Sequence, residues 1–317
     1  MQSVYILSCE TPEKGGGIYR YEMTESGELK QADYYPCDRP MYAANTKNGL
    51  CVLLREPFEK DKNGGYFYID KDLKNPTEIQ STDGVVPCHL CVNENDCYVV
   101  NYLSGNIVNV GKKTVKHEGK GVNPIRQEMS HTHCSVFSPD KKYVLCCDLG
   151  LDALFCYDRQ LNLISKAKIE GGCGIRHAVF SKDGKYIYAI SELIPAVHIF
   201  TFDRGRVALK GRLDIPCEKE NADGAAIRIS QDGKKLYLSL RVENAIVVLD
   251  VQGENLQILQ KVDCGGDSPR DFNIIENKLI VTNEKSNNVV VYALKEGLID
   301  KKLSEIKIPK PLCCVVD

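Results

Sequence analysis

The chain alternates short apolar runs with polar turns, and within each run the apolar positions recur with a period of two. No stretch of ten or more residues follows the 3.6-residue period of an amphipathic helix. Val, Ile and Tyr dominate the apolar runs, and Gly, Pro, Asn and Asp separate them. This pattern predicts an all-β protein built from many short strands.

A turn motif repeats along the chain. Residues 138–145 (SPDKKYVL) are echoed 43 positions later at residues 181–188 (SKDGKYIY), and 49 positions further at residues 230–237 (SQDGKKLY). Asp-Gly supplies the positive φ that tight hairpin turns require. With weaker copies, the repeat gives seven units of about 45 residues. Seven four-stranded antiparallel units without helices predict a seven-bladed β-propeller.

The two ends of the chain complement each other. Residues 310–316 resemble the openings of inner strands at residues 39–44 and 87–92, yet no second strand follows them. Residues 4–30 provide outer strands that lack an inner one. We therefore expect one blade to be closed by N- and C-terminal strands, and residues 1–317 to form a single domain.

Charge and composition limit the possible binding partners and the cellular compartment of the protein. The 41 Lys and Arg against 43 Asp and Glu leave a formal charge of -2, which favours neither nucleic acid nor an anionic membrane. No apolar run reaches the roughly 18 residues of a spanning helix, and the N-terminus lacks the pattern of a secretion signal. Fifteen cysteines, some adjacent in sequence, suit a reducing compartment. We expect a cytoplasmic protein with no nucleic-acid or membrane partner.

Hairpin symmetry selects candidate site residues. Positions equidistant from a turn should lie side by side, so Arg176 is expected opposite Glu192 and His133 opposite Asp148. The same rule gives the further pairs Ala225 with Arg241, Arg270 with Asn283 and Glu284, and Pro87 with Asn101. All lie at one end of their hairpins, around the mouth of the central channel. Such a concave mouth is a typical binding site, although cross-strand Arg–Glu pairs also occur as purely structural contacts.

The histidines and cysteines favour no metal or cofactor. His131 and His133 are two residues apart and could face the same side, but a third ligand is not evident. One of them is a candidate general acid or base. His177 follows Arg176 and should face the opposite side of its strand, in a structural role. Cys88 and Cys91 are expected to pack in the core.

Several blocks of sequence resemble the seven-bladed propeller lactonases, which include the cycloisomerase-2 type of bacterial 6-phosphogluconolactonase and the fungal carboxymuconate-lactonizing enzyme. The blocks are HTHCSVFSPD at 131–140, DLGLD at 148–152, GCGIRHAVF at 172–180, SEL at 191–193, NADGAAIRI at 221–229 and SPRDFN at 268–273. The resemblance covers nearly all seven repeats and is strongest between His131 and Leu294.

The resemblance implies four active-site residues at the channel mouth. The family's His, Arg, Glu and second Arg fall on His133, Arg176, Glu192 and Arg241. Ile175 replaces a proline that is usual in the family. Asp271 replaces a common glycine, which leaves the orientation of the neighbouring Arg270 open.

The predicted activity is hydrolysis of an anionic sugar lactone by a metal-independent enzyme. Either His133 or Glu192 would activate water, with Asp148 orienting the histidine, and Arg176 would stabilise the oxyanion. The remaining predicted substrate-binding residues are Arg241, Arg270, His131 and Asn101, of which the arginines suit a phosphate or carboxylate. Two alternatives stay open: a muconate-type lactonizing cycloisomerase, and a non-catalytic propeller that binds a peptide or sugar.

Overall fold

The computed structural model describes residues 2–317, which form seven four-stranded antiparallel sheets. Within that range the one helical element is a 3-10 turn at Pro12–Lys14. The strands are β1 Gln2–Ser8, β2 Gly17–Met23, β3 Leu29–Pro36, β4 Pro40–Asn45, β5 Gly49–Leu54, β6 Asn63–Asp70, β7 Gln80–Val85, β8 Pro87–Val92, β9 Cys97–Asn101, β10 Asn106–Asn109, β11 Lys113–Lys116, β12 Thr132–Phe137, β13 Tyr143–Asp148, β14 Ala153–Asp158, β15 Leu163–Lys168, β16 Ile175–Phe180, β17 Tyr186–Ser191, β18 Ala196–Asp203, β19 Arg206–Asp214, β20 Gly224–Ile229, β21 Lys235–Leu240, β22 Ala245–Gln252, β23 Asn255–Asp263, β24 Pro269–Ile275, β25 Lys278–Asn283, β26 Asn288–Lys295, β27 Leu298–Lys307 and β28 Pro311–Val316. The predicted all-β, seven-bladed architecture is confirmed.

The first blade is built from both ends of the chain. Its strand order is β28, β1, β2, β3, with Val4 opposite Val316 and Leu7 opposite Cys313. The other six blades follow the chain in consecutive groups of four strands, from blade 2 (β4–β7) to blade 7 (β24–β27). The predicted terminal closure is therefore confirmed, and the shared blade joins the start of the ring to its end.

The repeated turn motif closes the hairpin between the first two strands of blades 4, 5 and 6. In each copy the serine hydroxyl donates to the aspartate two residues on, at 2.6 Å for Ser138 and Asp140. Gly184 and Gly233 take the positive φ of the turn at 71° and 78°. The serine and aspartate thus satisfy polar groups locally, and the glycine removes the steric cost of the left-handed backbone.

The core lies between neighbouring blades rather than within one sheet. Among residues 2–317 the buried apolar side chains form seven clusters, each centred between two adjacent blades. One of them packs Val4 and Ile6 of blade 1 against Ile280 and Val289 of blade 7, which seals the ring. Burial of these apolar surfaces stabilises the ring as a closed unit.

The cysteines are part of this packing. All fifteen are free thiols in the described chain, and most are buried. Cys134, Cys147 and Cys156, for example, belong to the cluster between blades 4 and 5. They act there as small apolar side chains. No helix within residues 2–317 has the length and apolar character needed to cross a membrane.

Candidate active site

The innermost strand of each blade contains one extra residue close to its start. Its register with the second strand shifts there, for example between Thr132 and Cys134 and between Ile175 and His177. The extra residues are Leu312, Met41, Cys88, His133, Arg176 and Arg270, and in blade 6 the shift falls within Ala225 and Ala226. A bulge of this kind re-aims side chains, and bulges are common beside active sites.

The bulged side chains converge on one pocket at the channel mouth. Met41, Cys88, His133, Arg176, Arg270 and Leu312 all line it, together with Tyr42, His177, Asp271. The enclosed space is about 20 Å³, enough for roughly one water molecule. A sugar-sized ligand would therefore occupy the rim and present only its reacting edge to the pocket.

Arg176 and Glu192 form a buried ion pair at this mouth, although the bulge places the Glu192 backbone opposite Gly174 and the contact is made by the side chains. Arg176 Nε donates to Glu192 Oε2 at 2.8 Å, and its Nη1 donates to the carbonyl oxygen of Ala225 at 2.6 Å. Only 3% of the Arg176 side chain and 4% of the Glu192 side chain are exposed. Burial lowers the pKa of Arg176 to about 10, against the attraction of Glu192, so the guanidinium stays charged at neutral pH.

Two further arginines converge on Glu192. Arg126 Nη2 donates to its Oε1, and Arg241 Nη2 lies 3.1 Å from its Oε2 and 3.3 Å from Asp223. Burial opposes ionisation of Glu192, but the charges of Arg241 and Arg176 hold the pKa of its carboxyl well below the usual range. Within the described chain, Nε and Nη2 of Arg241 make no well-aligned hydrogen bond. These two nitrogens are buried, and 13% of the Arg241 side chain is exposed toward a ligand.

His133 faces this group of charges from the neighbouring blade. Its ring packs edge-on against Tyr102 and His177, at centroid distances of 5.8 and 5.4 Å. Burial, followed by the charge of Arg176, holds the pKa of His133 well below its usual range, so the imidazole is neutral. Its buried Nδ1 finds no hydrogen-bond partner anywhere in residues 2–317. A neutral imidazole with unused hydrogen-bonding capacity can accept a proton from water.

The predicted pairing of His133 with Asp148 is wrong. The bulge moves the register by one, so Asp148 lies opposite Thr132. Its Oδ2 lies 2.6 Å from Nδ1 of His117, and its Oδ1 accepts the backbone N–H of His131 at 2.9 Å. Asp148 is fully buried in this network and does not orient His133.

Two other predicted substrate ligands are also engaged elsewhere. His131 stacks on Tyr102 at 4.3 Å, with Nδ1 3.0 Å from the Tyr102 carbonyl oxygen and Nε2 3.3 Å from Glu128. Asn101 is fully buried and donates to the carbonyl oxygen of Thr82 at 3.0 Å. Neither lines the pocket, so their contact with a substrate stays a prediction.

Arg270 lies at the pocket as predicted, although Asp271 stands where the family commonly has a glycine. Arg270 is the bulged residue of β24 and lines the pocket, and its Nη1 lies 3.5 Å from Glu284. Asp271 pairs with Arg228 at 2.8 Å and accepts the backbone N–H of Cys314 at 3.2 Å. Its carboxylate therefore ties blade 7 to blades 6 and 1.

His177 departs from prediction, since the bulge at Arg176 leaves both side chains on the pocket. In the described residues, the His177, His89 and Cys134 ligand atoms lie within 4.8 Å of one another, the one trio spaced for a metal. However, His89 Nδ1 lies 3.4 Å from the Ser135 backbone nitrogen and its Nε2 lies 3.8 Å from the Cys134 sulfur, so both ring nitrogens already have protein partners. These contacts favour a structural role.

Sequence reasoning missed Arg126 and Tyr102. Arg126 belongs to residues 117–131, the longest connection between neighbouring blades, which joins β11 to β12. The Tyr102 hydroxyl is a further neighbour of the Arg126 guanidinium. Loop length was the available signal, but nothing in the local pattern shows that this loop reaches across to blade 5.

A larger cleft lies at the opposite end of the hairpins. It measures about 980 Å³ and is lined by polar residues at the turns of blades 2 and 3, including Asn45, Lys47, Asp70 and Asn93. It is an open surface cleft without a buried ionisable cluster. The concentration of buried charge places the candidate chemistry at the bulged mouth instead.

A closed ring of seven antiparallel blades is a seven-bladed β-propeller. His133 and Arg176 line the pocket at one mouth, and Glu192 and Arg241 are paired beside them. The model of the family described as "Lactonase, 7-bladed beta-propeller" matches residues 3–316. This chain belongs to that family, as its sequence resemblance predicts.

Known relatives agree with this placement. The protein named 6-phosphogluconolactonase from Bacillus subtilis (strain 168) is 29% identical over 343 residues, which cover 98% of this chain and 97% of the relative. A crystal structure from Lactobacillus plantarum superposes with a TM-score of 0.90 at 26% identity, covering 100% and 99% of the two chains. The periplasmic gluconolactonase of Pseudomonas aeruginosa shares the fold, with a TM-score of 0.86 at 21% identity and coverage of 100% and 99%.

Proposed function

We propose that this chain is a metal-independent lactonase that opens an anionic sugar lactone with water at the channel mouth. The observation that carries the proposal is the apposition of neutral His133 to an ionised Glu192 that is surrounded by arginines. The B. subtilis relative named 6-phosphogluconolactonase makes 6-phosphogluconolactone the first substrate to test.

His133 is the better candidate for the base. Glu192 is engaged by three guanidinium groups and its carboxyl resists protonation, whereas the His133 imidazole is neutral and incompletely hydrogen-bonded. Glu192 then acts as a positioning residue that fixes Arg176 and Arg241. These contacts support His133 over Glu192 as the general base.

The reaction uses only side chains of this chain. His133 takes a proton from water as the water oxygen attacks the lactone carbonyl carbon, and Arg176 stabilises the negative charge on the carbonyl oxygen. The ring C–O bond then breaks, and His133 returns the proton to the leaving oxygen, which yields the hydroxy acid. Arg241 and Arg270 hold the anionic group of the substrate.

Turnover assays on the purified protein test this proposal. We expect hydrolysis of 6-phosphogluconolactone well above its spontaneous rate, unchanged after dialysis against a chelator. Glucono-1,5-lactone and muconolactone serve as comparison substrates. Activity confined to muconolactone would support the cycloisomerase alternative, and no activity on any lactone would support the non-catalytic one. Loss of activity on chelation would contradict metal independence.

A further inference from the structure

The connection over residues 117–131 is an ordered element that carries Arg126 to Glu192. Asn123 Oδ1 accepts the backbone N–H groups of Ile125 and Arg126, each at 3.1 Å. Gln127 Nε2 donates to the carbonyl oxygen of Leu149 at 2.8 Å and to Asp152 at 2.7 Å, within blade 4. The backbone beside Arg126 is thus fixed, and its long side chain supplies the freedom to move.

The three arginines on Glu192 differ in how firmly they are held. Arg176 and Arg241 share Oε2 and have only 3% and 13% of their side chains exposed. Arg126 alone among these three engages Oε1, and 38% of its side chain is exposed. A part-exposed arginine can exchange one anionic partner for another, because solvent compensates both charges during the exchange. The two buried arginines cannot do so without leaving charge unpaired.

We propose that Arg126 is an anion-responsive latch, which covers Oε1 of Glu192 in the free protein and transfers to the anionic group of a bound lactone. This inference rests on the lactonase function proposed above and deepens it, because it adds Arg126 to Arg241 and Arg270 as a determinant of the preference for anionic over neutral lactones. Transfer frees Oε1 to accept a hydrogen bond from a substrate hydroxyl or from water. A neutral lactone offers no replacement anion, so Arg126 stays on Glu192.

The kinetic test compares Arg126→Gln with the unaltered protein on two substrates, 6-phosphogluconolactone and glucono-1,5-lactone. We expect kcat/KM for the phosphorylated lactone to fall by roughly 10- to 100-fold, while kcat/KM for the neutral lactone stays level or rises. Lys120→Gln removes an exposed charge from the same loop and is the matched control. It should leave both values unchanged.

Two results would overturn the latch. One is an equal loss on both lactones in Arg126→Gln, which indicates a general structural role. The other is a loss of discrimination on Arg270→Gln but none on Arg126→Gln, which assigns anion recognition to the arginine on blade 7.

A binding measurement separates failure of the latch from failure of the proposed function. Calorimetry with glucose 6-phosphate and glucose needs no turnover and compares an anionic ligand with a neutral one. The latch requires that glucose 6-phosphate bind more tightly than glucose to the unaltered protein, and that Arg126→Gln reduce this difference at least tenfold. If neither lactone is hydrolysed but this pattern holds, the lactonase proposal fails and Arg126 remains the anion-responsive group of a binding site. If hydrolysis occurs but both sugars bind equally, the latch fails alone.

Discussion

One half of the pocket carries histidine and arginine side chains on its bulges and the other half does not, although the same kind of backbone bulge builds both. The bulged residue is His133, Arg176 or Arg270 in blades 4, 5 and 7. It is Leu312, Met41 or Cys88 in blades 1, 2 and 3.

The bulge is a structural property of every blade, and the side chain at the bulged position decides the local chemistry. The bulge brings each of these side chains into the pocket, so both halves contribute to its lining. Ionisable groups on one side give the pocket a direction: a ligand's reacting carbonyl would face His133 and Arg176. A substitution in the half with histidine and arginine can therefore be compared with a substitution at the equivalent bulge of the other half. The comparison separates an effect on catalysis from an effect on the fold.

The largest effect is expected at His133. His133→Asn removes the proposed base while preserving a polar side chain of similar size, and kcat should fall by roughly 10²- to 10⁴-fold. Cys88→Ala, at the bulged position of the neighbouring blade 3, is the control and should change kcat little. Similar losses of kcat in His133→Asn and Cys88→Ala would mean that His133 contributes no more to catalysis than an apolar residue at the equivalent position. Steady-state kinetics on 6-phosphogluconolactone provides the readout.

The second-largest effect on activity is expected at Arg176. Arg176→Ala withdraws the positive charge assigned to the oxyanion, and we expect kcat/KM to decrease by roughly 10²- to 10³-fold. Met41→Ala truncates the equivalent side chain of blade 2 and should cost far less. Arg176→Lys retains the charge without the planar fork and should recover part of the activity. Full activity in Arg176→Ala would remove this residue from the mechanism.

Two ion pairs at the mouth differ in burial, and their stabilities should differ accordingly. Glu192→Gln leaves buried Arg176 without its counter-charge and should reduce the free energy of unfolding by about 3–5 kcal/mol. Glu284→Gln breaks a longer, part-exposed pair with Arg270 and should cost under about 1 kcal/mol. Urea denaturation measures both values. Equal costs would show that burial does not distinguish the pairs.

The smallest effect is expected in how pH changes the difference in unfolding free energy between the unaltered protein and Glu192→Gln. The carboxyl of Glu192 has a pKa below its ordinary value of 4.5, so the unfolded chain takes up a proton at a higher pH than the folded protein does. The stabilisation by ionised Glu192 is thus complete above about pH 4.5, and is lost as pH falls toward the folded pKa. The stability gap between the unaltered protein and Glu192→Gln should narrow below pH 4.5. A gap constant down to pH 3 would contradict the assignment.

The outline of the site could be inferred from the sequence because the geometry of a hairpin depends on residues close together in the chain. Arg176 and Glu192 lie on either side of a turn whose position the motif at residues 181–188 marks, so counting places them at the same end of one hairpin, and the long arginine side chain reaches Glu192 despite the bulge. Counting assumes equal numbers of residues on both strands, and the same bulge in blade 4 leaves Asp148 opposite Thr132 and paired with His117. One extra residue changes the partner and the direction of the side chain.

The sequence alone determined the number of blades, the position of the turns, the shared terminal blade and the end of the hairpins that carries the charged residues. These features follow from short-range periodicity and turn chemistry, which act over a few residues. Tertiary structure decided which side chains the bulges bring into the pocket, the burial that makes Glu192 and Arg176 a tight pair, and the reach of Arg126 from blade 4's entry loop to blade 5. Those features depend on closure of the ring, which places residues far apart in the chain within hydrogen-bonding distance.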